Sequence, residues 1–180
     1  MFYGPYDEDI FLVLENGIGR YGSKGHVFVI GDLNSRTGME PDFITFDGLH
    51  DGLHCLSDGF IAYEVDQPIP KRKSEDDQLN NFGRNLIQLC KSTGLKIING
   101  RTSGDREGKL TFCNTNGTSV IDYVLTDKLS MPMVESFEVG CFNEFSDHAP
   151  ICMSLNSIKT GNRDLHAVQR MRVGILLCLA

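Results

Sequence analysis

The chain has 180 residues, 41% of them hydrophobic, which suits one domain with a real core. Its 17 basic and 24 acidic residues leave a net charge of −7, which argues against tight nonspecific binding to nucleic acid. It does not exclude a nuclease, because a metal site gathers carboxylates and a bound cation reverses the local field. Six cysteines without a C-x-x-C pair speak against a zinc site or a disulfide framework and for buried, reduced thiols. The first residues lack the basic and apolar regions of a secretory signal, so an intracellular protein, nuclear or cytoplasmic, is expected.

Pro5 and the acids Asp7, Glu8 and Asp9 open a predicted helix whose apolar residues Ile10, Phe11, Leu14 and Ile18 recur at helical spacing. Gly17 and Gly19 weaken its last turns, and Gly22 and Gly25 punctuate the turn into a strand, Val27-Phe28-Val29-Ile30. That strand runs into Gly31-Asp32-Leu33-Asn34, after which Ser35-Arg36-Thr37-Gly38 forms a loop. Arg36 there either contacts a phosphate or, the commoner case, is simply solvated. Residues 42–70 are irregular and hold a tandem Asp-Gly-Leu-His repeat. Its His50 and His54, beside Cys55, have the spacing of a metal site on a helix, but the glycines favour a turn-rich surface loop.

The densest basic cluster, Pro70-Lys71-Arg72-Lys73, either tracks the backbone of a nucleic acid or is a solvated loop before a helix. Ser74 with Asp77 resembles a capping box, and Leu79, Phe82, Leu86, Leu89 and Cys90 make a helical stripe ended by a left-handed Gly94. Leu95-Lys96-Ile97-Ile98 reads as a strand, and residues 104–108 read as an exposed turn. Asn116-Gly117 marks a hairpin between Leu110-Thr111-Phe112-Cys113 and a long β-branched run, residues 118–126. Further strands are expected over residues 134–142 and 151–155, in a sheet that is mixed or largely antiparallel. Residues 156–180 turn polar and then apolar, too short a run to span a bilayer, and read as a poorly ordered tail.

One carboxylate, Asp122, sits in the middle of the 118–126 run, where an ionised group is costly unless something pairs with it. Alternation sends Val120, Asp122 and Val124 to one face and Ile121, Tyr123 and Leu125 to the other. An imidazole is the expected partner. His148, in Phe145-Ser146-Asp147-His148, would be oriented by Asp122 and favoured in its donating form. Strand ends hold polar groups rigidly while a loop lets them face solvent, and both Asp32 and His148 sit at such ends. Phosphodiesters resist attack through their charge, so a site needs a cation, a positioned base and a donor.

Gly31-Asp32-Leu33-Asn34, Ser119-x-Ile121-Asp122-Tyr123 and Ser146-Asp147-His148, in this order and at these intervals, resemble the second half of the endonuclease/exonuclease/phosphatase superfamily of exonuclease III-like and DNase I-like enzymes. Arg72-Lys73-Ser74, Cys90-x-x-x-Gly94-Leu95 and Ile97-Ile98-Asn99-Gly100-Arg101 are most similar to endonuclease domains of non-LTR retroelements or proteins derived from them. The resemblance covers residues 11–155. It implies an α/β fold forming part of a four-layer sandwich of DNase I-like type, with residues 1–155 a partial domain and 156–180 the tail. It implies that Asp32 aligns or deprotonates the attacking water and that Asn34 holds the water and the phosphate. Asp147 and Asp32 would bind a divalent metal, Mg2+ or Mn2+, while His148 would stabilise the transition-state oxygens and Asp122 would orient His148. It assigns Asn99 no catalytic role.

In that family an Asn and a metal-binding Glu on earlier strands precede Gly-Asp-x-Asn. Glu8, Glu15 and Asn16 fall instead in a helical pattern. The chain thus resembles a truncated domain, and the expected function is metal-dependent hydrolysis of nucleic-acid phosphodiesters, most readily DNA, at an impaired rate. The alternatives are a catalytically inactive remnant or interaction module, whose uncovered sheet a protein partner or the missing half would cover, and a phosphomonoesterase of the same superfamily. No membrane partner is expected.

Overall fold

The computed structural model describes residues 10–44, 69–156 and 174–178, the last by backbone alone. The acids Asp7, Glu8 and Asp9, the repeat with His50, His54 and Cys55, and all of the 156–180 tail except Asn156 and Gly174–Cys178 lie outside the described residues.

Helix α1, Ile10–Gly22, buries Phe11, Leu14 and Ile18 of the predicted stripe, leaves Ile10 exposed at its first position, and continues through Gly17 and Gly19. A turn delivers the chain into β1, Val27–Asp32. Helix α2 is Asn81–Thr93, and its cap corrects the expected one: the side chain of Asn80, not Ser74, accepts the Gly83 N–H at 2.6 Å. Gly94 closes the helix at φ 77°, a left-handed conformation that side chains disfavour. Strand β2, Leu95–Ile97, follows at once.

β3, Phe112–Asn114, and β4, Gly117–Ser119, form the hairpin around Thr115-Asn116. β5 is Asp122–Asp127, β6 Val134–Val139 and β7 Ile151–Leu155. β8, Gly174–Cys178, lies parallel to β1, so part of the 156–180 segment is strand. The central sheet has the order β2-β5-β1-β8, with β5 antiparallel to both β1 and β2. It is therefore mixed, as expected.

Each face of this sheet is apolar and each is covered. Val27, Val29, Leu95, Ile97, Tyr123 and Leu125 meet α1 and α2 through Phe11, Leu14, Leu86 and Leu89. The alternate residues Ile30 and Val124, with Ile98, meet Phe137, Val139, Ile151 and Met153 of the β6-β7 hairpin. Fully burying one such side chain stabilises by roughly 1.5–3 kcal/mol, so both covers are needed. Val120 departs from the expected alternation and joins the Tyr123 side. The reason is a break in the run at Val120-Ile121, between β4 and β5, which resets its phase.

The hairpin β3-β4 is sewn to the segment before β7 by Cys113 N–H to Asp147 O and Ala149 N–H to Thr111 O, both 2.8 Å. This antiparallel stitch brings the Ser146-Asp147-His148 loop over the end of β5. The turn over residues 104–108 is present, yet Asp105 within it is buried, because its carboxylate accepts the N–H groups of Gly100, Gly108 and Lys109. Of the described cysteines only Cys90 is buried, against the expectation of buried thiols; Cys113, Cys141 and Cys152 sit at outward positions, and all four are free. No helix among the described residues is long and apolar enough to cross a membrane.

Candidate active site

The antiparallel register of β1 and β5 sets Asp32 directly opposite Asp122. Opposed residues of an antiparallel pair present their side chains on one face about 5 Å apart, so two carboxylates emerge together at the end of the sheet. They share the face of Ile30 and Val124, the face over which the 146–148 loop is stitched. Residues 32, 122 and 148, far apart in sequence, therefore converge.

His148 meets Asp122 with Nδ1 at 3.0 Å from Oδ2 and 3.2 Å from Oδ1. A carboxylate oxygen accepts, so Nδ1 carries the proton between them and Nε2 takes no part in the pair. His148 is held at its ring and along its main chain. Its backbone N–H donates to Ser146 Oγ at 3.1 Å, its main chain bridges to Phe112, and the Phe112 ring lies edge-on with centroids 4.9 Å apart. Thr111 Oγ1, fully buried, accepts the N–H groups of both Ile121 and Asp122 at 3.0 Å. His148 keeps 36% of its side chain exposed and Asp122 only 12%, so solvent reaches the imidazole and not its support.

At the other strand end, Asp32 Oδ1 accepts the backbone N–H of Asn34 at 2.8 Å. That turn requires Asn34 at φ 51°, a left-handed conformation that Asn tolerates better than most residues. Asn80 Nδ2 secures it by donating to Asn34 O at 3.1 Å, and the Asn34 side chain stays exposed beside Asp32. Tyr123 braces the same loop from beneath, its hydroxyl donating at 2.8 Å toward Ser35 O and Val120 O. Burial pushes that phenol up to about 12, so it serves only as a neutral hydrogen-bonding group.

Asp147 is exposed, and only its carbonyl, bonded by Cys113, ties it to the fold. Among the described residues no three His, Cys, Asp or Glu side chains come together to hold a metal ion. Asp32 and Asp147 alone are too few to cage a cation.

The expected basic contacts are otherwise engaged. Arg36 is partly exposed but not free: it forks onto Asp76 with Nε at 2.8 Å and Nη2 at 2.7 Å, and that hydrogen bond raises its pKa. Burial pushes the Asp76 carboxyl up, but the Arg36 bond and the N–H groups of Gln78 and Val120 outweigh it and hold Asp76 below the ordinary range. Arg72 is buried and donates to the carbonyls of Thr37 and Glu40, while Lys73 pairs with Glu107 at 2.9 Å. Of the Pro70–Lys73 cluster Arg72 is thus withdrawn into the fold, while Lys71 and Lys73 stay exposed. Thr111, Ser146 and Asp76 are the supports that sequence reasoning left without a role; a hydroxyl inside a strand or an acid after a basic cluster carries no signal of its distant partner.

Compared with protein-family models and with curated protein sequences, the chain matches none.

Proposed function

We propose that this chain hydrolyses nucleic-acid phosphodiester bonds, DNA first among them, in the manner of a divalent-metal-dependent endonuclease and at an impaired rate. The observation that carries the reading is the His148–Asp122 pair set beside Asp32 at the end of one sheet. In this reading the helix-covered sheet and its antiparallel cover form the second half of a four-layer sandwich of DNase I-like type.

Asp32 aligns a water molecule and takes its proton, with the Asn34 amide holding that water against the phosphorus. His148, fixed through Nδ1, offers Nε2–H to the oxygens on which charge builds as the bond breaks. Asp122 keeps the ring in the one orientation that can do so. Asp32 and Asp147 are the residues that would hold a divalent cation, which when bound would supply charge neutralisation and acidify the water. In this reading the rate is impaired because the described donors for that cation are sparse and because Arg36 and Arg72 are engaged with protein partners.

Conversion of supercoiled plasmid to its nicked form, with and without Mg2+, tests the proposal. Weak, Mg2+-dependent nicking is expected, falling at least about 100-fold in His148→Ala and in Asp32→Ala, within the range general acid–base groups contribute. Nicking that persists in either variant, or a wild-type rate no higher than theirs, sinks it.

A further inference from the structure

β2 hydrogen-bonds to β5 only over Leu95, Lys96 and Ile97, opposite Asp127, Thr126 and Leu125. Ile98 adds one more rung, its N–H donating to Val124 O at 2.8 Å, and the chain then turns away at Gly100, φ 74°. β5 continues for two residues beyond that rung, to Asp122. The main-chain groups there are buried and need partners.

Asn99, only 1% exposed, supplies them with its side chain. Its Nδ2 donates to Asp122 O at 3.0 Å and its Oδ1 accepts the Val124 N–H at 3.1 Å. A primary amide offers a donor and an acceptor at peptide-like spacing, so Asn99 stands in for the strand residue that β2 lacks. With Thr111 taking the Asp122 N–H, both main-chain polar groups of Asp122 end on buried side chains.

We infer that Asn99 is a positioning residue: by fixing the main chain of Asp122 it holds the carboxylate where Nδ1 of His148 meets it. The rate consequence rests on the hydrolase reading, whereas the geometric consequence is readable in the protein by itself. Asn99→Leu keeps the size and removes both hydrogen bonds.

Two measurements test this on the full chain. Steady-state nicking should show kcat lower by about 10–100-fold, the effect typical of supports behind a site, with KM within about twofold. In 15N-histidine NMR, Nδ1 of His148 should carry a proton throughout the wild type, whatever Nε2 carries, and should be a mixture of protonated and bare nitrogen in the variant. Leu14→Ala, in the core beneath α1, serves as the control: it lowers stability and should leave kcat and the ring signals alone. Should Asn99→Leu not fold, Asn99→Asp, which keeps the acceptor for Val124 and loses the donor to Asp122, is read in the same way. A folded variant with unchanged ring signals overturns the inference. A wild type without any nicking removes the hydrolase reading, and the ring signals then decide the role of Asn99.

Discussion

Replacing Asp76 by alanine should loosen both loops that carry the candidate site, and the size of the loss follows from what the carboxylate holds. It accepts the Arg36 fork at 2.7 and 2.8 Å, the Val120 N–H at 3.1 Å and the Gln78 N–H at 3.0 Å. The first bond fixes the loop after β1, and the second fixes the chain just before Asp122. Leaving the buried Val120 N–H without an acceptor costs about 1–3 kcal/mol, and losing the Gln78 bond about 0.5–1.5 kcal/mol. The Arg36 side chain is 33% exposed, so solvent screening discounts its pairing to about 1 kcal/mol or less. The three overlap and do not strictly add, which gives a loss of about 2–4 kcal/mol. That is a large share of the roughly 5–15 kcal/mol that holds a domain.

Urea unfolding followed by circular dichroism measures it, as a drop in midpoint with an unchanged slope. The pH dependence gives an independent check. Asp76 is held below its ordinary pKa, so its contribution is complete above the unfolded value of about 3.9 and is lost as pH falls through the folded value. The gap between wild type and Asp76→Ala should therefore be full at neutral pH and close below about pH 4. A loss under about 1 kcal/mol at pH 7, or a gap that persists in acid, would refute the reasoning.

Asp42→Ala should cost about 3–5 kcal/mol in the same unfolding assay, because Arg101 grips Asp42 with two bonds of 2.6 Å and would be left charged in a site where it is 2% exposed. Burial raises the Asp42 pKa, but the Arg101 bond and charge hold it low, so this contribution too is lost in acid; equal stability of the variant at pH 7 would contradict it. Gly83→Ala would set a Cβ 1.8 Å from Arg36 O, where α2 crosses the loop after β1. A melting temperature lowered by an overpacking cost of about 3 kcal/mol is expected, and an unchanged one would show that the crossing is loose. Asp122→Asn keeps the shape and turns an amide toward Nδ1; nicking should fall by about 10²–10⁴-fold with the fold intact, and a rate within threefold of wild type would count against the pair.

Periodicity made most of the elements readable. The α1 stripe, β1, the Asn-Gly hairpin and the left-handed Gly94 are local patterns, and local patterns survive into the fold. The pairing of Asp122 with His148 was also legible, since a carboxylate inside a strand demands a partner whatever the topology. What the sequence concealed depends on distant contacts. The 118–126 run looks continuous, yet it breaks at Val120-Ile121 because Asp76 and Thr111 draw off their N–H groups. Ser74 and Asn80 both carry cap chemistry; Asn80 wins because Arg36 N–H also needs its oxygen and Gly83 allows the close crossing. Asn99 is invisible for the same reason: an amide after a strand says nothing of the strand it will complete.

On the proposed reading, the arrangement divides the work of a nuclease unequally. Supports for the imidazole are ample, while three arginines of the loops are committed to the fold, Arg36 to Asp76, Arg72 to carbonyls and Arg101 to Asp42, and Lys71 and Lys73 of the basic cluster stay exposed, Lys73 beside Glu107. A cation already neutralised by a protein carboxylate releases few counterions when DNA arrives. Binding should therefore be weak and only shallowly salt-dependent, which raises KM in addition to the loss in kcat from sparse cation donors. Anisotropy of a labelled duplex on His148→Ala, titrated between 50 and 200 mM salt without Mg2+, reads this directly. Each neutralised phosphate adds about −0.9 to the slope of log K against log salt, so a slope of about −1 to −2 is expected. A slope of about −5 or steeper would mean that several of these cations leave their partners for phosphate, and the division of labour argued from their pairing would be wrong.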